Sequence, residues 1–433
     1  MSEQAAPSAQ SDRSPIRQRP VAAYVLSTFC VTAAAAAQIT ALGKFVFDLT
    51  HREIDLGFLG LAQFIPAALL VVVAGPVADR FDRRRVVQLA LLFEVACALG
   101  LAWVVHREAD TLPAILALVF GLGVGRAFAT PASRALPANL VERRLLPRVI
   151  PLTSLAWQSG VIVGPVMGGL LYVVDPVLPF IATAVLLGLG ALAMFAVRVL
   201  DTAPVAQVVS SASRLHEARE GFRVVRRTPM LLGAISLDLF AVLFGGAVEL
   251  LPAIAQTRLG AGAAGLGWLR AAGGIGAASV TLCLASRPLR RHVGNTLFTV
   301  VAIFGSATVV LGFTHNYWIA FLMMFVLSGA DAVSVFIRST LTPLIVPDHV
   351  RGRVMAVEAV FIGASNELGA FESGALGQAI GAPASIAFGG FATIGVVAAF
   401  TLLFPSLRRI DRFEDLVDTP VSASVALEGG DSL

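Results

Sequence analysis

The 433-residue chain contains a single lysine, Lys44, and charged residues of every kind make up only 14% of it, against roughly a quarter in soluble globular domains. So few charges exclude the solvated surface of a water-soluble protein. Because Lys44 is followed by Phe45, no lysine is placed to serve a phosphate-binding loop, and an ATP-driven pump within this chain is excluded. Cysteine is nearly as scarce. Cys30, Cys97 and Cys283 all fall inside apolar stretches, so they offer neither a disulfide framework nor metal-ligand spacing, and buried packing thiols are expected. The six histidines (His51, His106, His216, His292, His315 and His349) lie in loops or at the ends of apolar runs and include no zinc-type pair. "GLGVGRAF" at 121–128 has closely spaced glycines, but it sits in an apolar run with no strand before it, which argues against a dinucleotide site. Enzyme chemistry is not expected.

Apolar residue types reach 57%. About twelve stretches approach the ~20 residues that cross a bilayer: 22–47, 56–77, 86–105, 112–130, 149–172, 179–197, 230–251, 265–286, 296–313, 317–337, 354–380 and 383–403. The first follows Arg13, Arg17 and Arg19 but is too long for a secretory signal, so it reads as a retained span. Arginines cluster before span 1, at 80–85, 134–148, 214–227, 287–291 and 338–353, and after span 12, while the alternate loops are poor in them. Positive charge stays on the cytoplasmic side of short loops, so both termini are expected in the cytoplasm. The net charge of +4 then reports topology and gives no reason to expect a nucleic-acid partner.

The expected organisation is an all-α membrane protein of two pseudo-symmetric six-helix bundles, 21–197 and 230–403, joined by a cytoplasmic linker at 198–229. The polar ends, 1–20 and about 413–433 within a tail from 404, have little to bury and are expected to be disordered. In the linker, Leu215, Phe222 and Val225 fall roughly on one helical face among arginines; a helix lying in the membrane interface and a solvated charged connector both fit. Offsets recur between the halves. Arg80, Arg83 and Arg84 match Arg287, Arg290 and Arg291 at 207, and Arg148, Gly164 and Gly169 match Arg353, Gly369 and Gly374 at 205. Parallel repeats of six spans fit a secondary transporter with its site between the halves.

"GPVADRFDRRR" at 75–85 resembles the loop 2–3 motif of the major facilitator superfamily, with Gly75, Asp79, Arg80, Arg83 and Arg84 matching and Asp82 standing where that pattern usually has glycine. "GVIVGPVMGG" at 160–169 is similar to the superfamily's span 5 exporter motif through Gly160, Gly164, Pro165, Gly168 and Gly169. Small residues at four-residue spacing allow close helix approach, and the proline bends the helix. "RAFATPASRALPANLV", "AREGFRVVRRTPMLLG" and "VPDHVRGRVMAVEAVFIGASNELGAFESGALG" are similar to the branch that contains the enterobactin exporter and drug:proton antiporters. The resemblance implies efflux from a bacterial cytoplasm and leaves the cargo open. The charged loop reads either as a gate, with Asp79 pairing an arginine or capping a helix, or as a topology anchor.

An ionisable group near mid-bilayer costs at least ~3 kcal/mol unless it is paired, protonated or facing a cavity. By depth, Asp238 (span 7), Asp331 (span 10), Glu367 (span 11) and Glu94 (span 3) are such groups. With no histidine at that level, Asp238 and Glu367, and after them Asp331, are the candidates for proton coupling. Arg338 and Glu358 lie at similar depth and read as a structural bridge, while Glu249 and Arg270 face each other across the 7–8 hairpin. Lys44 and Asp48 lie one turn apart near the outer end of span 1, where a snorkelling lysine is expected. Gln38, Arg126, Trp157, Gln158, Phe240, Phe244 and Asn366 are placed by depth as cavity groups. The expectation is a monomeric, proton-coupled exporter of a small molecule such as a siderophore or drug, working in a lipid bilayer without metal or cofactor. An importer or facilitator of the same fold is the alternative.

Overall fold

The computed structural model describes residues 18–107, 112–197 and 211–416, and these form helices joined by short turns. Inside a bilayer every backbone N–H and C=O must be satisfied within the chain, so long apolar runs become uninterrupted helices. Spans 1 to 6 are Arg19–Thr50, Glu53–Arg80, Arg83–His106, Leu112–Ala135, Leu146–Val174 and Leu178–Ala196. Spans 8 to 12 are Ala263–Ser286, Val293–Phe313, Tyr317–Ile345, Asp348–Ile380 and Ala382–Leu403. Several extend one or two turns beyond the apolar stretch that announces them.

Span 7 departs from expectation. Its first segment, Pro229–Phe244, ends at Gly245, a single turn covers Gly246–Val248, and a second short helix covers Leu251–Thr257. Gly246 lies against Gly369 of span 11, where an added Cβ would fall 2.5 Å from the Gly369 carbonyl oxygen. The chain breaks where two adjacent glycines let it pass close to a neighbour, so the expected continuous span 230–251 is corrected to a broken one.

Packing follows the same plan twice. Span 1 packs on 5 and 6, 2 on 4, and 3 on 4 and 6; correspondingly span 7 packs on 11 and 12, 8 on 10, and 9 on 10 and 12. The two sets meet through 2 with 11 and 5 with 8, pairs that exchange under the same six-span shift. For orientation we call the end that carries loops 2–3, 4–5, 8–9 and 10–11 the linker end, and the other the far end.

The linker helix, Ser211–Arg227, meets span 7 at 105°. It rests on the start of span 11: Glu220 pairs with Arg353 at 2.5 Å, Phe222 stacks on Phe361 at 6.3 Å, and Val225 is buried with Val350 and Val354. Phe222, though 46% exposed, and Val225 thus lie on a face docked on span 11, which neither linker reading anticipated; the Leu215 side chain and residues 198–210 lie outside what is described. The expected disordered ends fall mostly outside it too. Within it, Arg19 and Pro20 already open span 1, and Phe413–Leu416 pack on the C-terminal half, with the Phe413 ring 6.3 Å from Phe336 and Leu416 buried. Of the cysteines, Cys30 and Cys97 are buried as expected, but Cys283 is exposed on span 8.

The span 5 glycines form the face that lies on span 1. A Cβ at Gly160 would come 2.7 Å from Thr32 Cβ, one at Gly164 2.7 Å from Ala36 Cβ, and one at Gly168 2.6 Å from the Ala37 carbonyl oxygen. Without a hydrophobic drive between helices in lipid, such close backbone contact supplies the association. Gly164→Val is accordingly expected to cost about 1–3 kcal/mol of overpacking, read as a lower melting midpoint in detergent. Gly188→Val, at a span 6 glycine with nothing within 4 Å of its added Cβ, serves as the silent control.

Candidate functional site

At the far end the halves are closed on each other. Gly57 lies on Phe371 and Gly374 on Gly57 and Glu53, while Gly169 lies on Ala263 and Gly267. Deeper along the same seams, Gln158 Nε2 donates to the Gly274 carbonyl at 2.7 Å, and Phe64 touches Gly363. Lys44 does not snorkel. It is 8% exposed, bonds Asp48, donates to Gln256 Oε1 at 3.3 Å and lies 5.8 Å from the Tyr172 ring, whose hydroxyl donates to Asp48 at 3.0 Å. Gln256 belongs to the second segment of span 7, so the lone lysine ties that segment to spans 1 and 5. An ammonium with a carboxylate and two further partners has no reason to seek the interface.

Above the seam of spans 5 and 8 is a cavity of about 450 Å³. Its walls come from span 1 (Ile39, Thr40), span 5 (Trp157, Gln158, Val161, Pro165), span 8 (Arg270, Gly273, Thr281) and span 10 (Met324, Ser328, Asp331, Val335). The lining is apolar and aromatic with a few polar groups, the usual make-up of a small-molecule site. It has one acidic side chain, Asp331, and one basic, Arg270. Arg270 is held at 3.5 Å by Glu249, as the hairpin reading expected, and donates to the Val248 carbonyl.

Asp331 faces two ways. On its other side a small void is shared by Asp238, Ser334 and Phe304. There Asp238 pairs with Arg338 at 2.7 Å, both side chains at most 7% exposed, and Arg338 Nε donates to Ser334 Oγ at 3.4 Å. The expected Arg338–Glu358 bridge is therefore corrected: Arg338 takes Asp238 across the helix interface, and Glu358 accepts from Thr342 at 3.2 Å instead. Glu367 lies on the seam of spans 2 and 11, where a Cβ on Gly60 would come 2.9 Å from its Oε2. Arg126 is the cation whose field reaches both Glu367 and Glu94, and Glu94 is 2% exposed in the niche left by Gly125.

Of the groups placed by depth, Trp157 and Gln158 line the cavity and the others do not. Gln38 is buried at 2% exposure, Asn366 turns back to its own helix and donates to the Ile362 carbonyl at 2.9 Å, and Phe240 stacks on Phe244 and meets Phe400 edge to face. Sequence reasoning missed Arg270 and Ser328 as wall groups. Depth fixes a residue's height along a helix and says nothing about which way it faces.

At the linker end, Arg83 donates to Asn139 Oδ1 at 2.7 Å and Arg84 to the Val197 carbonyl at 3.0 Å, fastening loop 2–3 to loop 4–5 and to the end of span 6. Asp82 caps span 3, accepting from the Arg84 amide at 2.9 Å. The acid that breaks the superfamily pattern thus does the capping considered for Asp79, whose side chain lies outside the described set. Six spans later the arrangement repeats: Arg291 pairs at 3.3 Å with Asp411, in the chain that follows span 12.

Known proteins resemble this chain along nearly its whole length. The profile of a family described as transmembrane secretion effectors, within the major facilitator superfamily, matches residues 10–427. The chain belongs to that family. Among curated relatives, the multidrug efflux pump Tap of Mycolicibacterium fortuitum is 26% identical over 86% of the chain and 92% of the relative. The enterobactin exporter EntS of Salmonella typhimurium is 29% identical over 83% and 86%. Among solved structures, a bacterial homologue of the lysosomal transporter Spinster, in an inward-facing and unoccupied conformation, aligns with TM-score 0.67 at 14% identity over 92% and 97% of the two chains. A D-xylose–proton symporter aligns with TM-score 0.68 at 15% identity over 90% and 98%. The protein is a multi-pass membrane transporter with the major facilitator fold, and not an enzyme.

Proposed function

We propose that this transporter sits in the bacterial inner membrane with both termini and the 198–229 segment in the cytoplasm, and exports a small amphipathic molecule in exchange for protons. The observation that carries the reading is Asp331, the acidic side chain on the wall of a 450 Å³ cavity that otherwise suits an apolar cargo. A carboxyl group that cargo and water can reach is able to release its proton when cargo arrives and to take one up when cargo leaves. The activities for which the relatives are named, multidrug efflux and enterobactin export, support the direction. With the linker in the cytoplasm, closure at the far end makes the described state one that opens inward, ready to load.

Alternating access then consists of rocking the two six-helix sets about the seams of spans 2 and 11 and of spans 5 and 8. Opening outward has to break the Lys44–Gln256 contact and separate Gly169 from Gly267. The linker helix, docked on span 11 through Arg353, travels with the C-terminal set. The working unit is a monomer, since the cavity is complete within one chain.

The test is flux in proteoliposomes under an imposed pH gradient, with a panel of amphipathic dyes and iron chelators. Cargo moving against the proton gradient supports export by exchange; cargo moving with the protons establishes import and overturns the reading. Orientation has its own check. In a chain freed of its natural cysteines, Ala203→Cys and Pro420→Cys are expected to resist an impermeant maleimide in intact cells and to react after permeabilisation. Labelling of either in intact cells overturns the topology.

A further inference from the structure

A second cavity, of about 380 Å³, lies at the linker end between loop 8–9 and the chain that follows span 12, far from the transport cavity. Its walls are His292, Asn295, Thr401, Arg408, Arg409 and Asp411, with Pro405 and Ile410. The volume falls within the range of small-ligand sites. Its charges are not balanced. Asp411 is already engaged by Arg291 at 3.3 Å, His292 Nδ1 at 3.0 Å, the His292 amide at 2.9 Å and Arg412 at 3.8 Å. Donation from that amide, chiefly, and from Arg291 holds its carboxyl below the usual carboxylate range, so it stays ionised and neutralised. Arg408 and Arg409, both exposed, make no guanidinium hydrogen bond or ion pair among the described residues. The Asn295 side chain is likewise uncommitted. What remains is a polar recess with two spare guanidiniums, a free amide and the Thr401 hydroxyl oxygen, which can still accept although its own proton goes to the Val397 carbonyl at 2.7 Å.

The surroundings say which anion. Leu402 and Leu403, which close span 12 immediately before the recess, are 81% and 68% exposed. Side chains that apolar, left outside in a membrane helix, face acyl chains. The recess therefore lies where a lipid's phosphate meets its tails. Guanidinium forks match phosphate oxygens with paired, charge-assisted hydrogen bonds. We propose that this cavity binds the headgroup of an anionic phospholipid, its phosphate on Arg408 and Arg409, its glycerol hydroxyls on Asn295 and Thr401, and its tails on Leu402 and Leu403. Because Asp411 fastens loop 8–9 to the same segment, an occupied recess also braces the last span against span 9.

The test uses the full chain purified in detergent, with short-chain phosphatidylglycerol, phosphatidylcholine or inorganic phosphate added. Native mass spectrometry reads adducts and a melting curve reads stabilisation. Phosphatidylglycerol is expected to bind and to raise the melting midpoint, while phosphatidylcholine and phosphate do neither. Arg408→Gln with Arg409→Gln is expected to weaken phosphatidylglycerol roughly tenfold or more, the lower end of what one charge-assisted pair contributes. Asn295→Glu, which puts a carboxylate in the recess, should also abolish the adduct. Arg287→Gln with Arg290→Gln removes the same charge at the same end, outside the cavity, and should change binding no more than about threefold. The proposal is overturned if phosphatidylcholine binds as well as phosphatidylglycerol, or if phosphate alone reproduces the stabilisation. Equal loss in the two arginine double variants, which marks a diffuse charge effect, also overturns it, as does retention of the adduct in Arg408→Gln with Arg409→Gln.

Discussion

Asp331→Asn is expected to abolish pH-driven accumulation while leaving cargo binding and downhill exchange in place. A gradient of one pH unit supplies about 1.4 kcal/mol per proton, enough to hold roughly a tenfold concentration ratio in a one-for-one exchange. In vesicles carrying the variant that ratio should fall to about one, because asparagine keeps the size and polarity of the side chain but has no proton to give up. Counterflow, which needs no proton, should persist. The choice of Asp331 over Glu367 follows from position: Asp331 is on the cavity wall and shares a void with Asp238, whereas Glu367 lies in the seam against Gly60. Retained accumulation in Asp331→Asn, with its loss in Glu367→Gln, would move the coupling site to that seam.

The second large effect is structural. Removing one partner of the buried Asp238–Arg338 pair leaves an uncompensated charge, which costs roughly 3–5 kcal/mol. Arg338→Leu should therefore drop expression of folded protein and lower the melting midpoint sharply, and Asp238→Leu should do the same. Combining the two removes both charges and should recover most of the loss, since a matched apolar pair in place of a buried ion pair is close to neutral. A double variant as unstable as the singles would show that Ser334 and the neighbouring void demand polar groups there.

Much of the fold was legible in the sequence because a bilayer imposes length and hydropathy on each span, and duplicated arginines and glycines revealed the repeat. The 207-residue offset finds its counterpart in Arg84 held by Val197 and Arg291 held by Asp411. Span 7 was misread because "LFGGAVELLPAIAQT" stays largely apolar through its break, with Glu249 as its one charge; hydropathy averaged over a span does not register a turn flanked by apolar residues on both sides. The site was less legible. Trp157 and Gln158 were found on the cavity wall, but Gln38 at the same depth points into protein, and Arg338 chose Asp238 over Glu358. Each of these outcomes depends on the rotation of one helix against another, which composition and depth do not encode.

The burial of Lys44 gives this protein a built-in chemical reporter. No other side-chain amine exists in the chain, and this one is wrapped by Asp48, Gln256 and Tyr172 while the far end is shut. An amine-acylating reagent should therefore react slowly with the resting protein and faster as the far end spends more time open. Peptide mapping after graded exposure would turn the modified fraction of one residue into a clock for the transport cycle, with no engineered label.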